Sequence, residues 1–286
     1  MTNTDQFTND IHITFIGGGN MGRAMIGGLL HDGLRSTQVS VVEAKADTAV
    51  ALINDFSIKL ITSIDQIALD AAKNNVIVVA VKPQDFKVVS HALSAQLQNS
   101  LAKPLILSIA AGIRIADMSR WLAQSRCVRA MPNTPALIGK GITGLFSETG
   151  VSQADRELAE GICKAVGQTV WVDEEPLLDA VTALSGSGPA YVFAFLEALQ
   201  AGGEKLGLDS VTARKLAYAT LEGASQLANH SVESAGALRE RVTSKGGTTA
   251  AALEVLKDLD WQAILGKALA AAQERSKTMG DELGQG

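Results

Sequence analysis

The sequence predicts an α/β protein in which a doubly wound, parallel sheet is followed by an all-helical region. Three observations carry this expectation. Over residues 11–173, short β-branched apolar runs alternate with amphipathic runs, the pattern of repeated β-α-β units. Two of the strand-like runs, 75–81 (NVIVVAV) and 105–109, are apolar on both faces, as central strands covered by helices on both sides must be. After Asp173-Glu174-Glu175-Pro176 the strand-like runs stop and alanine-rich helical periodicity takes over. The boundaries drawn from this are 1–173 for the sheet domain and 174–286 for the helical one.

Taken in order, Ile11–Ile16 reads as the first strand and Asn20–Leu30 as the helix behind it. Val39–Val42, β-branched except for Ser40, is the second strand. Helix 45–56 and strand 58–61 follow, and 63–72 is predicted helical before the strand 75–81. Residues 86–97 read as helix and 105–109 as a buried strand. Further strands are expected at 127–130, 142–146 and 169–172. Beyond Pro176 every segment reads as helix: 179–184, 189–206, 209–230, 235–241, 248–257 and 261–279, with Asp209 and Thr248 as N-caps. Residues 190–201 are nearly all apolar. A helix apolar around most of its girth must be covered on all sides, and about 110 residues enclose too little interior to cover several. A homodimer interface is predicted there.

Composition narrows the function classes. The 286 residues are 47% apolar and 19% charged, with a net charge of −5 and no basic block, which argues against a nucleic-acid surface. Cys127 and Cys163 lack metal-ligand spacing and make no disulfide framework, so a reducing compartment and no metal are expected. The first ten residues, MTNTDQFTND, are polar and unlike a secretory signal. No apolar run approaches the ~20 residues of a membrane span. A soluble, cytoplasmic protein is expected.

The chemistry begins at Ile16-Gly17-Gly18-Gly19-Asn20-Met21-Gly22. Gly17, Gly19 and Gly22 stand at the G-x-G-x-x-G spacing between a predicted strand and a predicted helix, the context a dinucleotide-binding turn needs. Gly17 provides the sharp turn, Gly19 the close approach of backbone N–H groups to a pyrophosphate, and Gly22 close helix–sheet packing. The helix start, including Asn20 and Met21, offers unpaired amides and a positive dipole end. This makes the first domain Rossmann-type. Glu43 closes the second strand. Its carboxylate suits two ribose hydroxyls and repels a 2′-phosphate, favouring NADH over NADPH; Lys45 is either a solvated helix-start lysine or a partner for that phosphate. The turns Ala80-Val81-Lys82-Pro83 and Ser108-Ile109-Ala110-Ala111-Gly112 follow apolar strands at the edge where such sheets bind ligands, and are expected to bracket a nicotinamide ring. Asn133, in Met131-Pro132-Asn133-Thr134-Pro135, is placed with them. Ser244-Lys245-Gly246-Gly247-Thr248-Thr249 opens a helix with glycines and hydroxyls, the physical type of an anion site. Ser187-Gly188-Pro189 is a second glycine-rich helix start.

These motifs, with Leu184-Ser185-Gly186-Ser187-Gly188-Pro189-Ala190-Tyr191 and Val242-Thr243-Ser244-Lys245-Gly246-Gly247-Thr248-Thr249, make the chain resemble the pyrroline-5-carboxylate reductases from Ile13 to about Met279. The resemblance implies a Rossmann domain followed by a helical dimerisation domain, dimers that commonly assemble into decamers, and reduction of 1-pyrroline-5-carboxylate to L-proline with NADPH or NADH. It implies that Gly246, Gly247, Thr248 and Thr249 hold the substrate, with Ser187 and Gly188 on the opposite wall. It also gives Thr249, with Ser244, a catalytic role as hydroxyl donor toward the ring nitrogen or carboxylate. Two departures are visible: Glu43 replaces a smaller polar or basic pattern, and Lys245 stands where many members carry proline. If the helical domain swaps across a dimer, one subunit's cleft is completed by its partner's turn. Two rivals stand against this reading. A β-hydroxyacid dehydrogenase would need a catalytic lysine on the joining helix, and 179–184 and 191–200 contain none. A non-catalytic nucleotide sensor would leave the reduced cofactor unconsumed.

Overall fold

The apolar runs pair into one eight-stranded sheet. In the computed structural model, which describes residues 10–98 and 100–285, the strands are β1 (Ile11–Ile16), β2 (Val39–Val42), β3 (Lys59–Ile61), β4 (Asn74–Val79), β5 (Leu105–Ser108), β6 (Cys127–Met131), β7 (Gly141–Ser147) and β8 (Gly167–Trp171). The polar stretch that begins the chain lies, apart from Asp10, outside the described residues. The sheet order is β3-β2-β1-β4-β5-β6-β7-β8, so the winding reverses between β1 and β4. Ligands in open α/β sheets bind at such a reversal, beyond the carboxyl ends of the strands.

Strands β3 to β6 run parallel with β1, and β7 runs antiparallel to β6 with β8 parallel to β7. The doubly wound, parallel sheet expected is present, with one antiparallel pairing, between β6 and β7. The connection 132–140 is shorter than the dozen or more residues a crossover needs. It makes a 3-10 turn at Thr134–Ile138, and Gly139 at φ 68 turns the chain back.

The helices are α1 (Asn20–His31), α2 (Ala46–Phe56), α3 (Pro83–Gln98), α4 (Ile115–Leu122), α5 (Gln153–Lys164), α6 (Leu177–Val181), α7 (Gly188–Lys205), α8 (Ser210–His230), α9 (Ala235–Arg241), α10 (Thr248–Asp258) and α11 (Trp261–Gly284). Alternation along the strands sends Ile13, Phe15, Val78 and Leu107 into one core with Met25 and Leu29 of α1. It sends Ile16, Ile77, Val79 and Ile106 into a second core with Phe86, Leu93 and Met118 of α3 and α4. Full burial of each such side chain stabilises by ~1.5–3 kcal/mol, and covering both faces explains why these strands read as unbroken apolar runs. Cys127 and Cys163 lie inside these cores, and burial pushes both thiols up to about 12.

Three expectations are corrected. The helix predicted over 63–72 is only a 3-10 turn, Ile64–Gln66. The Asp70 side chain accepts from Ala72 N at 3.0 Å, and Asn75 Nδ2 donates to the carbonyls of Asp70 and Lys73. Such side-chain bonds to the backbone compete with helix. The strand predicted over 75–81 ends at Val79, leaving 80–82 free to form a turn before Pro83 opens α3. The N-cap of α10 is Gly247, not Thr248, which is already helical.

By packing, the chain divides into two compact units: one runs to Ser187 and takes in the chain from Ala272 onward, the other is Gly188–Ala271. The break in composition after Asp173 therefore precedes the break in packing. The reason is local: Leu178 and Val181 of α6 lie against Gly144 of β7, where a Cβ would meet Val181 Cγ1 at 2.6 Å. The helical unit buries few large side chains. Leu196 is 7% exposed, whereas Phe193 is 59%, Phe195 52% and Ile264 61% exposed. Asp209 caps α8 as predicted, accepting from Thr212 N at 3.0 Å. No helix among the described residues is long and apolar enough to cross a membrane.

Candidate active site

The predicted phosphate turn sits at the winding reversal. Gly17 N donates to Val42 O at 2.8 Å and Ala80 N to Ile16 O at 2.8 Å, which ties together the carboxyl ends of β1, β2 and β4. Gly17 has φ +98, and a Cβ there would lie 2.7 Å from Ala80 O. No side chain fits that approach. A Cβ on Gly22 would lie 2.6 Å from Gly17 O, so α1 leaves the strand at closest packing. Gly19 differs: a Cβ there meets nothing within 4 Å. It is the N-cap of α1 and has no side-chain cap, so the first amides of the helix, at Asn20 and Met21, receive no acceptor from the cap residue. Uncapped helix amides beside a glycine that leaves room for close approach are what a pyrophosphate fits.

Glu43 is drawn into this turn. Its Oε2 accepts from Gly18 N at 2.8 Å and its Oε1 from Lys45 N at 2.8 Å. Both carboxylate oxygens hold backbone amides, so Glu43 fixes the turn while keeping a lone pair on each oxygen for a ribose. Gly18 is a site residue the sequence reading passed over. Its Cβ would meet Leu52 Cδ1 at 2.2 Å, and its N–H is directed to Glu43. The middle glycine of GGG is thus required by contacts that no local pattern announces.

The two turns expected to bracket the ring are adjacent. Ile109 N donates to Val79 O at 3.2 Å, and Ala110 N to Ser108 Oγ at 3.3 Å. Ala80 and Val81 are half-buried, Lys82 is exposed, and Pro83 begins α3. Gly112 takes φ +75, with Met279 Cε 3.1 Å from the place of a Cβ. Behind this turn, Glu175 Oε1 accepts from both Ile115 N at 2.7 Å and Arg129 Nη1 at 2.6 Å. Asp281 accepts from Arg114 Nη2 at 2.6 Å. Neither clamp carried a sequence signal, because each joins residues far apart in the chain.

Asn133 is 9% exposed, and its amide is engaged at both ends: Nδ2 donates to Ser185 O at 3.1 Å and Oδ1 accepts from Ile142 N at 2.9 Å. It ties the end of β6 to β7 and to the segment before α7. Ser187 and Gly188 lie just after a π-helical turn, Thr182–Gly186, where Ser187 N donates to Thr182 O at 2.8 Å. π-Turns inside helices recur at functional sites.

In the helical unit, Gly246 has φ +72, and Gly247 N donates to Ser244 O at 3.0 Å. A Cβ on Gly247 would meet Ser244 Oγ at 2.4 Å. Gly247 caps α10 without a side-chain bond, so Thr248 and Thr249 open a second uncapped helix start with hydroxyls beside it. The two predicted anion sites therefore share one construction.

Comparison with known proteins follows the same division. The family model for pyrroline-5-carboxylate reductase dimerisation matches residues 175–279, and that for NADP oxidoreductase, coenzyme F420-dependent, matches residues 12–112. The chain is 42% identical to pyrroline-5-carboxylate reductase of Pseudomonas aeruginosa over 96% of its own length and 98% of that protein. It is 34% identical to the Arabidopsis thaliana enzyme over 93% of its length and 95% of that protein. A solved pyrroline-5-carboxylate reductase from Coxiella burnetii, 39% identical, superposes with a TM-score of 0.88 over 95% of this chain and 99% of that one. The Plasmodium falciparum structure with NADP bound gives 0.81 at 27% identity, over 96% of this chain and 100% of that one.

Proposed function

The chain belongs to the pyrroline-5-carboxylate reductase family, and from that premise we propose how it reduces 1-pyrroline-5-carboxylate to L-proline with a nicotinamide cofactor. The observation that carries the assignment of the cofactor is the open space at Gly19 over uncapped α1. The amides of Gly19, Asn20, Met21 and Gly22 take the pyrophosphate, with Ile16 and Gly17 fixing the turn. Ala80, Val81, Lys82 and Pro83 form one wall of the nicotinamide slot and Ala110, Ala111 and Gly112 the other. Asn133 acts as a brace beneath it. The nicotinamide, when bound, would supply the hydride that the imine carbon accepts, while the ring nitrogen gains a proton or enters already as the iminium.

The substrate is a cyclic imine bearing a carboxylate. Its carboxylate docks on the amides of Gly246, Gly247, Thr248 and Thr249, whose helix start favours negative charge. The Thr249 hydroxyl donates toward the ring nitrogen or the carboxylate, Ser244 supports the turn, and Ser187 and Gly188 line the far side. Holding the imine carbon at near-attack distance lowers the barrier without a strong base. The exposed Phe193, Phe195 and Ile264 are covered when two helical domains, 174–286, associate in a homodimer. In that dimer the turn of one copy serves the sheet domain, 1–173, of the other, and dimers assemble further into decamers. The site of action is the cytoplasm.

Thr249→Ala is expected to lower kcat/KM at least tenfold, about 1.4 kcal/mol of transition-state stabilisation, while melting temperature and cofactor affinity stay as in wild type. Wild-type kinetics remove Thr249 from the site. Mixed dimers of Thr249→Ala with a cofactor-binding variant are expected to regain turnover, since one composite site is intact; no recovery assigns both half-sites to one copy.

The carboxylate of Glu43 makes NADH the preferred cofactor in this reading, by repelling a 2′-phosphate. Glu43→Gln, which still accepts from Gly18 N, is expected to raise NADPH use relative to NADH several-fold. Glu43→Ala is expected to raise the KM for both cofactors as well, since the Gly18 amide loses its acceptor. An unchanged ratio in both variants refutes the discrimination role.

A further inference from the structure

The last turns of α11 lie against the Ala110–Gly112 turn. From Ala272 onward α11 packs with the sheet unit, and Gly280 and Gly284, four residues apart, share one face of the helix. A Cβ on Gly280 would lie 3.1 Å from Gly112 O and 3.3 Å from Arg114 Nε, and one on Gly284 would lie 2.5 Å from Asp117 Oδ2. Two glycines thus let the helix backbone come down onto the turn and onto the start of α4. At Gly112 itself, Met279 Cε and Leu283 Cδ1 stand 3.1 and 3.4 Å from the place of a Cβ. Gly280 therefore bears on the Gly112 carbonyl oxygen, and Met279 bears on its α-carbon.

Two features give this contact a role beyond packing. Ala110 N is bonded to Ser108 Oγ, but among the described residues no hydrogen bond holds Ala111 or Gly112. The place of this apex, with Ala111 half-buried and Gly112 buried, is set instead by van der Waals contact with α11, and close-packed contacts transmit strain. The second feature is that the helix end is itself tied down around the apex. Arg114 Nη2 donates to Asp281 Oδ1 at 2.6 Å, and Arg120 Nη2 to Gly284 O at 3.0 Å. Ser276, 4% exposed, donates from Oγ to Asp179 Oδ1 at 2.7 Å. These bonds fix the helix so that Met279 and Gly280 meet the turn.

We propose that Met279 and Gly280 are positioning residues of the reductase: through Gly112 they set the depth at which the Ala110–Gly112 turn receives the nicotinamide ring. This rests on the reading of that turn as one wall of the nicotinamide slot. Both residues act through Gly112 rather than on the reacting atoms. A misplacement of about 1 Å made away from the chemistry can cost ~100-fold in rate, so a smaller shift of Gly112 is already measurable.

The test titrates the full chain by calorimetry with NADH and with ADP-ribose, the same cofactor without its nicotinamide. In Gly280→Ala the new methyl displaces Gly112 O, while alanine is the better helix former, so the melting temperature is expected to hold. NADH affinity is expected to fall at least about fivefold and ADP-ribose affinity to stay within about twofold of wild type. Met279→Ala is expected to give the same split by removing the contact, and Met279→Leu to restore wild-type binding. Ser276→Ala loosens the same helix end away from the turn. It is expected to lower the melting temperature and leave both affinities unchanged. Wild-type NADH binding in both Gly280→Ala and Met279→Ala overturns the positioning role, as does equal weakening of both ligands, or the same split in Ser276→Ala. Ala111→Val, which alters the turn directly, is titrated beside them. A split there with none in the α11 variants overturns the positioning role and keeps the slot; no split in any variant overturns the slot reading as well.

Discussion

Gly17→Ala and Gly19→Ala are expected to fail in different ways, although both remove one glycine from the same turn. At Gly17 the backbone has φ +98 and the added methyl would sit 2.7 Å from Ala80 O. Neither strand end can yield alone, because Ala80 N is bonded to Ile16 O and Gly17 N to Val42 O. The variant is expected to lose cofactor affinity more than a hundredfold, over ~2.8 kcal/mol, and to melt at lower temperature. At Gly19, φ is −63 and nothing lies within 4 Å of a Cβ. That chain is expected to fold with wild-type stability. Its methyl occupies the space in which helix amides approach phosphate, so affinity for the reduced cofactor falls about tenfold, ~1.4 kcal/mol. Fluorescence titration with reduced cofactor, beside thermal melts, separates the two. Wild-type affinity in Gly19→Ala would mean that the pyrophosphate does not lie over this amide.

Much of this site was legible in the chain because its parts are local. A turn that needs Gly17 and Gly22 encodes them in seven consecutive residues, and the apolar 75–81 run declares a strand covered on both faces. Strand positions followed for the same reason, since each is a short run with its own alternation. What could not be read is non-local. Nothing near Gly18 says that Leu52 occupies the space of its Cβ, or that Glu43 holds its amide. The reversal of β7 depended on a connection too short for a crossover, a matter of tertiary geometry. The helix expected at 63–72 lost to the Asp70 turn and the Asn75 amide. Asn133 sat in a motif-like stretch, yet its amide serves the backbone of β7 and of Ser185. The exposed apolar helices of the second unit were legible in a different sense. Their composition announced a need for cover that a single chain does not meet, with Phe193 and Phe195 more than half exposed.

The clamp behind the Ala110–Gly112 turn gives the largest expected effect on stability. Arg129, on β6, has a side chain only 10% exposed, and it meets Glu175 at 2.6 Å; Glu175 is 21% exposed. The same Oε1 accepts from Ile115 N, the first residue of α4. One carboxylate thus joins the sheet, the helix that follows the Ala110–Gly112 turn, and the connector leading to α6. Removing one member of such a pair leaves the other charge buried and uncompensated. Arg129→Ala is expected to cost about 3 kcal/mol, the lower end of the ~3–5 kcal/mol for buried pairs, because Glu175 keeps some access to water. Glu175→Gln should cost less, since its amide oxygen still accepts from Ile115 N, and Glu175→Ala should cost at least as much as Arg129→Ala, since it orphans Ile115 N as well. Urea unfolding of the single variants and of the Arg129→Ala/Glu175→Ala chain closes a double-mutant cycle, with a coupling of about 1–3 kcal/mol expected for directly paired groups. Because α4 follows directly on the Ala110–Gly112 turn, proposed to hold the nicotinamide, the same variants should raise the cofactor KM more than they lower kcat. A cost below about 1 kcal/mol for Arg129→Ala, the range of exposed ion pairs, would show that water reaches this pair freely and that the turn is held from elsewhere.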